Sequence, residues 1–172
     1  MLDRSTRLLR AILVSMTLLM VWPGFGFATE AKPAEQTAQA IGRNDFVAIL
    51  DVARGYGEAE LTKTENGDPV ITGDITGTAY QLFFLDCRGN QDCKTLNFYS
   101  VWDGAGIDLN LINAWNAAGA YNKSYLTETG MPVVELNASA IDLTRERLSD
   151  LFDRWTVTLA AFPREVLDKA DQ

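Results

Sequence analysis

The strongest constraint on the fold of this 172-residue chain is a pair of aromatic segments joined by a short polar loop. The segments run from Tyr80 to Cys87 and from Cys93 to Trp102, and the loop between them, residues 88–92, contains a Gly-Asn pair. Both alternating faces of the first segment are apolar, which is typical of a strand interior to a sheet or covered on both faces. The sequence therefore predicts a central hairpin in a β-sheet.

The cysteines at the two ends of that loop, Cys87 and Cys93, are the only ones in the chain. In an exported protein with two cysteines a disulfide is the expected pairing, and closing so short a loop stabilises the fold by about 2 kcal/mol. A redox couple usually has tighter spacing near a helix start, and a zinc site would need two carboxylates because the chain has no histidine. We predict a structural disulfide, no metal site and no cofactor.

The N-terminus has the pattern of an export signal. Three arginines within the first ten residues precede an uncharged run, residues 11–22, that is short for a membrane span. A Pro-Gly pair follows, and small residues lead up to Ala28. We predict a signal peptide over residues 1–28, cleavage after Ala28, a periplasmic location and no membrane anchor after cleavage. An uncleaved anchor is the alternative.

Composition separates a leader from a single domain. Residues 29–43 contain almost no large apolar side chain and predict a flexible leader, whereas residues 44–172 have the size of one ordinary domain. The full chain carries a formal charge of −8, and removal of three arginines and one aspartate with the signal peptide makes it −10. Such a surface repels phosphate groups, so neither nucleic acid nor an anionic lipid surface is an expected partner.

Hydrophobic periodicity predicts the order helix, three or four strands, helix, two strands, helix. Asn44, Asp108 and Thr144 are the expected N-caps of the three helices. The pair Asn66-Gly67 predicts the tight turn of the first hairpin. Because the strands follow one another as hairpins, the expected class is α+β, with a mostly antiparallel sheet and flanking helices.

The second predicted helix contains the unusual sequence Asn113-Ala-Trp115-Asn116. Asparagine is mildly unfavourable inside a helix, so both asparagines need an explanation. One explanation is a hydrogen bond to an adjacent loop or strand end, and the other is contact with a ligand or partner.

Several of these features together resemble the YbjN family, whose bacterial members are labelled sensory transduction regulators. They are the Gly67–Ile71 turn, the aromatic strand with its cysteine pair, the Leu-Asn-Phe strand and the helix over Ile112–Asn116. The resemblance covers about residues 44–162. It implies the αβββαββα fold of type III secretion chaperones, a non-enzymatic regulatory module and no catalytic residue. The candidate partner-binding or structural residues are Asn113, Trp115, Asn116, Tyr121 and Tyr125.

Two classes of function follow. The first is an exported module that holds a polypeptide partner, or a second copy of itself as a homodimer, on an apolar sheet face. The strands carry more aromatic residues than one closing helix should cover, unless the N- and C-terminal helices cover opposite faces. The second is an envelope hydrolase using Asp86, Asp103 and Asp108 for acid–base work. A secreted inhibitor of an envelope hydrolase is a further alternative.

Overall fold

The computed structural model describes residues 39–104, 106–119 and 121–170, so the predicted signal peptide and residues 29–38 of the predicted leader lie outside the described residues. The helices are α1 (Phe46–Ala53), α2 (Leu109–Ala118) and α3 (Arg145–Phe162), and α3 continues as a π-helical turn (Pro163–Leu167) and a short α4 (Asp168–Ala170). The strands are β1 (Glu58–Lys63), β2 (Pro69–Ile75), β3 (Thr78–Leu85), β4 (Thr95–Val101), β5 (Lys123–Leu126) and β6 (Pro132–Ser139).

These six strands form one antiparallel sheet in the order β1-β2-β3-β4-β6-β5. Four strands precede α2 and two follow it, so the predicted α+β class and element order are confirmed. The aromatic strand β3 lies between β2 and β4, with Leu82 opposite both Ile71 and Phe98. The predicted interior position of this strand is therefore confirmed.

Helices α1 and α3 pack on the same side of the sheet, which we call the covered face. The ring of Phe46 in α1 lies 4.7 Å from that of Phe84, and Phe152 in α3 lies 5.0 Å from Phe98. Trp155 is fully buried in this core. The two helices therefore do not cover opposite faces of the sheet, and that alternative prediction is wrong. The opposite side of the sheet carries the side chains of the candidate functional site.

The hairpin turn predicted at Asn66-Gly67 is confirmed between β1 and β2, and a second turn, of two residues, lies at Thr76-Gly77. Thr76 and Gly77 have positive φ angles of 52° and 85°, and the residues on either side pair directly, as in a type I′ hairpin. In the earlier turn Gly67 alone has a positive φ, because the loop there is one residue longer and ends in a glycine bulge.

The first helix is capped by Asp45 and not by Asn44. The Asp45 carboxylate accepts a hydrogen bond from the backbone N–H of Ala48 at 3.0 Å. The side chain of Asn44 instead accepts a hydrogen bond from the backbone N–H of Asp92 in the disulfide loop. The other two helices are capped as predicted, by Asp108 and Thr144.

The end of the predicted leader is held by the domain. The backbone N–H of Ile41 donates to the carbonyl of Leu143 at 2.8 Å, and that of Arg145 donates to the carbonyl of Gln39 at 2.9 Å. The Ile41 side chain is buried in the core. Residues 39–41 are therefore hydrogen-bonded to the segment at the start of α3, and Ile41 packs into the core.

Candidate functional site

The sheet face opposite α1 and α3, which we call the open face, carries an apolar patch. Phe83 and Tyr99 lie at its centre with their rings 5.9 Å apart in an edge-to-face arrangement. Around them Leu85 and Val101 are each 41% exposed and Tyr125 is 39% exposed. These side chains come from three strands, and within the described residues no helix packs over them.

Next to the aromatic rings, Glu135 forms the polar centre of the open face. Its carboxylate accepts a hydrogen bond from the Tyr125 hydroxyl at 3.3 Å and pairs with the Lys123 ammonium at 2.7 Å. Partial burial raises the pKa of Tyr125 to about 12, and the charge of Glu135 adds to this effect. Burial and the same charge also raise the pKa of Tyr99. Both tyrosines therefore remain neutral hydroxyl donors at physiological pH.

An amide pair braces the middle of the open face. The side-chain amide of Asn97 donates to that of Asn137 across β4 and β6 at 2.8 Å, and Asn97 is buried. Beside it, a shallow depression of about 370 Å³ lies over Ala79, whose methyl group is much shorter than the neighbouring side chains of Tyr99 and Val101. The open face thus combines aromatic side chains, hydrogen-bonding groups and a shallow depression.

Of the candidate residues from the sequence, the structure places Tyr125 on the open face and Asn116 beside it at the sheet edge. The Asn116 side chain accepts a hydrogen bond from the Ser124 N–H at 2.7 Å and donates one to the Ser124 carbonyl at 2.9 Å. A neighbouring strand would make the same two bonds. Asn116 therefore fixes α2 to β5 as a substitute for a strand.

Trp115 joins α2 to the C-terminal helix. Its indole N–H donates to the Asn122 side chain at 2.7 Å, and Asn122 donates in turn to the Thr158 hydroxyl in α3 at 3.1 Å. The indole ring also stands edge-on to Phe162, with ring centres 5.1 Å apart. These contacts give Trp115 a positioning role in this structure.

Tyr121 and Asn113 are the remaining candidates and both lie on the surface. Tyr121 is 66% exposed, and the Arg154 guanidinium lies 4.3 Å from its ring centre. Arg154 also pairs with Asp150 at 2.9 Å. Asn113 is exposed and makes no side-chain hydrogen bond to any described residue. The structure does not bring these two residues onto the open face.

Cys87 and Cys93 form the expected disulfide, with an S–S distance of 2.12 Å. The bridge closes the turn between β3 and β4, and Cys93 is completely buried against the core. Among the described residues no group of three histidine, cysteine, aspartate or glutamate side chains could hold a metal ion.

The three aspartates considered for acid–base catalysis do not converge. Asp86 follows β3 and accepts a hydrogen bond from Thr95 at the start of β4, whereas Asp103 follows the end of β4. At about 3.3 Å per residue, this seven-residue strand separates the two carboxylates by roughly 20 Å. Asp108 caps α2, and the backbone N–H of Asn110 lowers its pKa. Asp86 and Asp103 are therefore too far apart to form an acid–base pair, and Asp108 is engaged as a helix cap.

Comparison of the sequence with known protein families gives a match. The model of the YbjN family, described as "Putative bacterial sensory transduction regulator", matches residues 47–168. The match spans all six strands and the three main helices, and so includes the open face. Comparison with curated proteins found no match. In the part of the chain that the structure describes, no helix is long and apolar enough to cross a membrane.

Proposed function

This chain belongs to the YbjN family, and from that premise we propose that it is an exported, non-enzymatic regulatory module that holds a polypeptide partner on the open face of its sheet. Family membership supports a regulatory role. Among the described residues, the separation of Asp86 from Asp103 argues against the carboxylate-based hydrolase.

The observation that carries the proposal is the apolar patch on the open face. Large side chains at the centre of a protein–protein interface are typically aromatic, and tyrosine is favoured because it joins a broad ring to a hydroxyl donor. Tyr99 and Tyr125 supply both features, and Phe83, Leu85 and Val101 surround them with apolar surface. A polypeptide partner could bury the rings and accept hydrogen bonds from the hydroxyls through its carbonyl groups.

Two features support an extracytoplasmic site of action. The N-terminal arginines, the uncharged run and the small residues before Ala28 have the pattern of an export signal. The Cys87–Cys93 disulfide suits an oxidising compartment such as the periplasm. Cell fractionation, followed by mass measurement of the N-terminus, tests this part directly: we expect a periplasmic protein beginning at Thr29, and a cytoplasmic protein beginning at Met1 would refute it.

Site-specific photocrosslinking tests the partner site. A photoreactive phenylalanine analogue placed at Tyr99 should yield a light-dependent adduct in periplasmic extract. The same analogue at Val157 is the matched control, because Val157 is 68% exposed on α3, the helix that packs on the covered face. Adducts of equal yield at both positions, or none at position 99 in intact cells, would contradict the proposal.

A further inference from the structure

The two edges of the sheet differ in how far their outward backbone groups are already bonded, and helix α2 blocks the β5 edge at Ser124. The N–H of Thr127 donates to the carbonyl of Met131, which sets the alternation of the β5–β6 ladder. By that alternation the N–H and carbonyl of Ser124 point away from β6. Both groups are hydrogen-bonded to the Asn116 side chain, which takes the place of a neighbouring strand at this position.

The β1 edge is open. The N–H of Thr64 donates to the carbonyl of Asp68, so the backbone groups of Ala59, Leu61 and Lys63 point away from β2 by the same alternation. The carbonyl of Ala59 accepts a hydrogen bond from the Arg54 side chain at 3.2 Å. Within the described residues, the outward N–H and carbonyl groups of Leu61 and Lys63 have no such partner.

Two depressions of opposite character lie on either side of this edge. On the covered face a notch of about 410 Å³ is lined by Phe46, Leu61 and Pro69, and Leu61 is 37% exposed there. On the open face a depression of about 500 Å³ is lined by three carboxylates and the chain around them: Glu58, Glu60 and Asp74 with Ala59, Thr72 and Gly73. The notch also contains Lys63, Asn90 and Gln91, so one side of the edge is partly apolar and the other is acidic.

We propose that β1 receives an extended segment of the polypeptide partner as a seventh strand, and that this segment alternates apolar with basic side chains. Successive side chains of a strand point to opposite faces, so an added strand would place one set in the apolar notch and the other beside the carboxylates. This inference rests on the proposed function and specifies the chemistry of the partner. A second copy of β1 fits less well, because it would bring its own Glu58 and Glu60 to the acidic side.

Binding of a fluorescein-labelled octapeptide of alternating leucine and lysine to the purified full chain tests the proposal by anisotropy. Lys63→Pro removes the outward N–H, and proline is tolerated on an edge strand where that N–H faces away from the ladder. Lys63→Ala is the matched control, because it removes the same side chain and keeps the N–H. We expect Lys63→Pro to bind the peptide roughly 3- to 10-fold more weakly than Lys63→Ala, as the loss of one hydrogen bond implies.

The charge preference is measured with a second peptide and a second variant. A leucine–glutamate octapeptide should bind at least about tenfold more weakly than the lysine peptide at low salt, and Glu60→Gln should narrow this difference. Equal affinities for Lys63→Pro and Lys63→Ala, or equal affinities for the two peptides, would overturn the inference. If the peptide fails to bind while the crosslink at position 99 persists, the edge inference is wrong and the open-face function stands.

Discussion

Replacing Tyr80 with phenylalanine should stabilise the domain at neutral pH. The Tyr80 side chain is 3% exposed, and its hydroxyl has no hydrogen-bond partner among the described residues. A buried polar group without a partner costs roughly 1–3 kcal/mol, so its removal should return about 1 kcal/mol after the loss of its packing contacts. For a domain of this size that gain corresponds to a rise in Tm of about 4 °C.

The same substitution should remove the contribution of Tyr80 to the pH dependence of the free energy of unfolding. Burial raises the pKa of Tyr80 to about 12 from its ordinary value of 10.0. The folded state therefore holds the proton more tightly than the unfolded state, and this stabilisation is complete below pH 10 and is lost as the pH rises from 10 to 12. At pH 11 the wild-type protein should have lost stability on the order of 1 kcal/mol that the phenylalanine variant keeps.

Urea unfolding followed by circular dichroism at pH 7 and pH 11 measures both effects. The other tyrosines titrate in both proteins, so the difference between wild type and Tyr80→Phe isolates Tyr80. The difference in the free energy of unfolding should be about 1 kcal/mol at pH 7 and widen to roughly 2 kcal/mol at pH 11. A variant less stable than wild type at pH 7, or a gap that does not widen, would show that the hydroxyl is satisfied and refute the reasoning.

Three further substitutions or treatments test other parts of the fold by urea unfolding. Asn116→Ala should cost about 1–3 kcal/mol because it leaves the β5 edge unpaired, whereas exposed Asn113→Ala should change stability by less than about 0.5 kcal/mol. Reduction of the disulfide should cost about 2 kcal/mol, and no change would show that the bridge has only a local role. Gly73→Ala should lower the free energy of unfolding by about 2 kcal/mol or more, because the new Cβ would lie 2.7 Å from the Tyr80 hydroxyl oxygen. Gly104→Ala is the control and should be tolerated, because its Cβ would meet no atom closer than 3.8 Å.

Alternating apolar residues were enough to predict that β3 is an interior strand. They could not show which face each helix covers, because a helical stripe identifies a buried surface and not the surface it packs against. Phe83 and Leu85 predicted a strand needing cover on both sides, and the structure leaves them on the open face. The surface proposed to bind the partner therefore depends on how the helices pack on the sheet, which local periodicity does not encode.

Turn chemistry predicted the first hairpin turn and not the second. Asparagine and glycine tolerate positive φ angles, so Asn66-Gly67 predicts the turn between β1 and β2, where the structure has it. Threonine is β-branched and rarely adopts such angles, yet Thr76 does so here with φ at 52°. The register of β2 on β3 overrides the local preference of this residue.

Among the candidate site residues, too, the sequence alone could not separate structural from exposed side chains. The sequence identified Asn113 and Asn116 as equally unusual, because both are asparagines within one helix. Only the fold distinguishes them, since the Asn116 side chain bonds to Ser124 in β5 and the Asn113 side chain makes no hydrogen bond to any described residue. The sequence does not distinguish Glu135, because an acidic residue in a strand usually faces solvent. Its two tyrosine neighbours, Tyr99 and Tyr125, come from different strands, so only the fold brings the three side chains together.

The amide of Asn116 has one more consequence, which concerns assembly size. A sheet with two free edges can add strands at both ends and grow into a filament. Here helix α2 occupies the β5 edge at Ser124, which disfavours strand addition there and leaves β1 as the more accessible edge. Strand addition at β1 alone is expected to stop at a finite complex. The side chain of Asn116 thereby opposes open-ended association of the sheet.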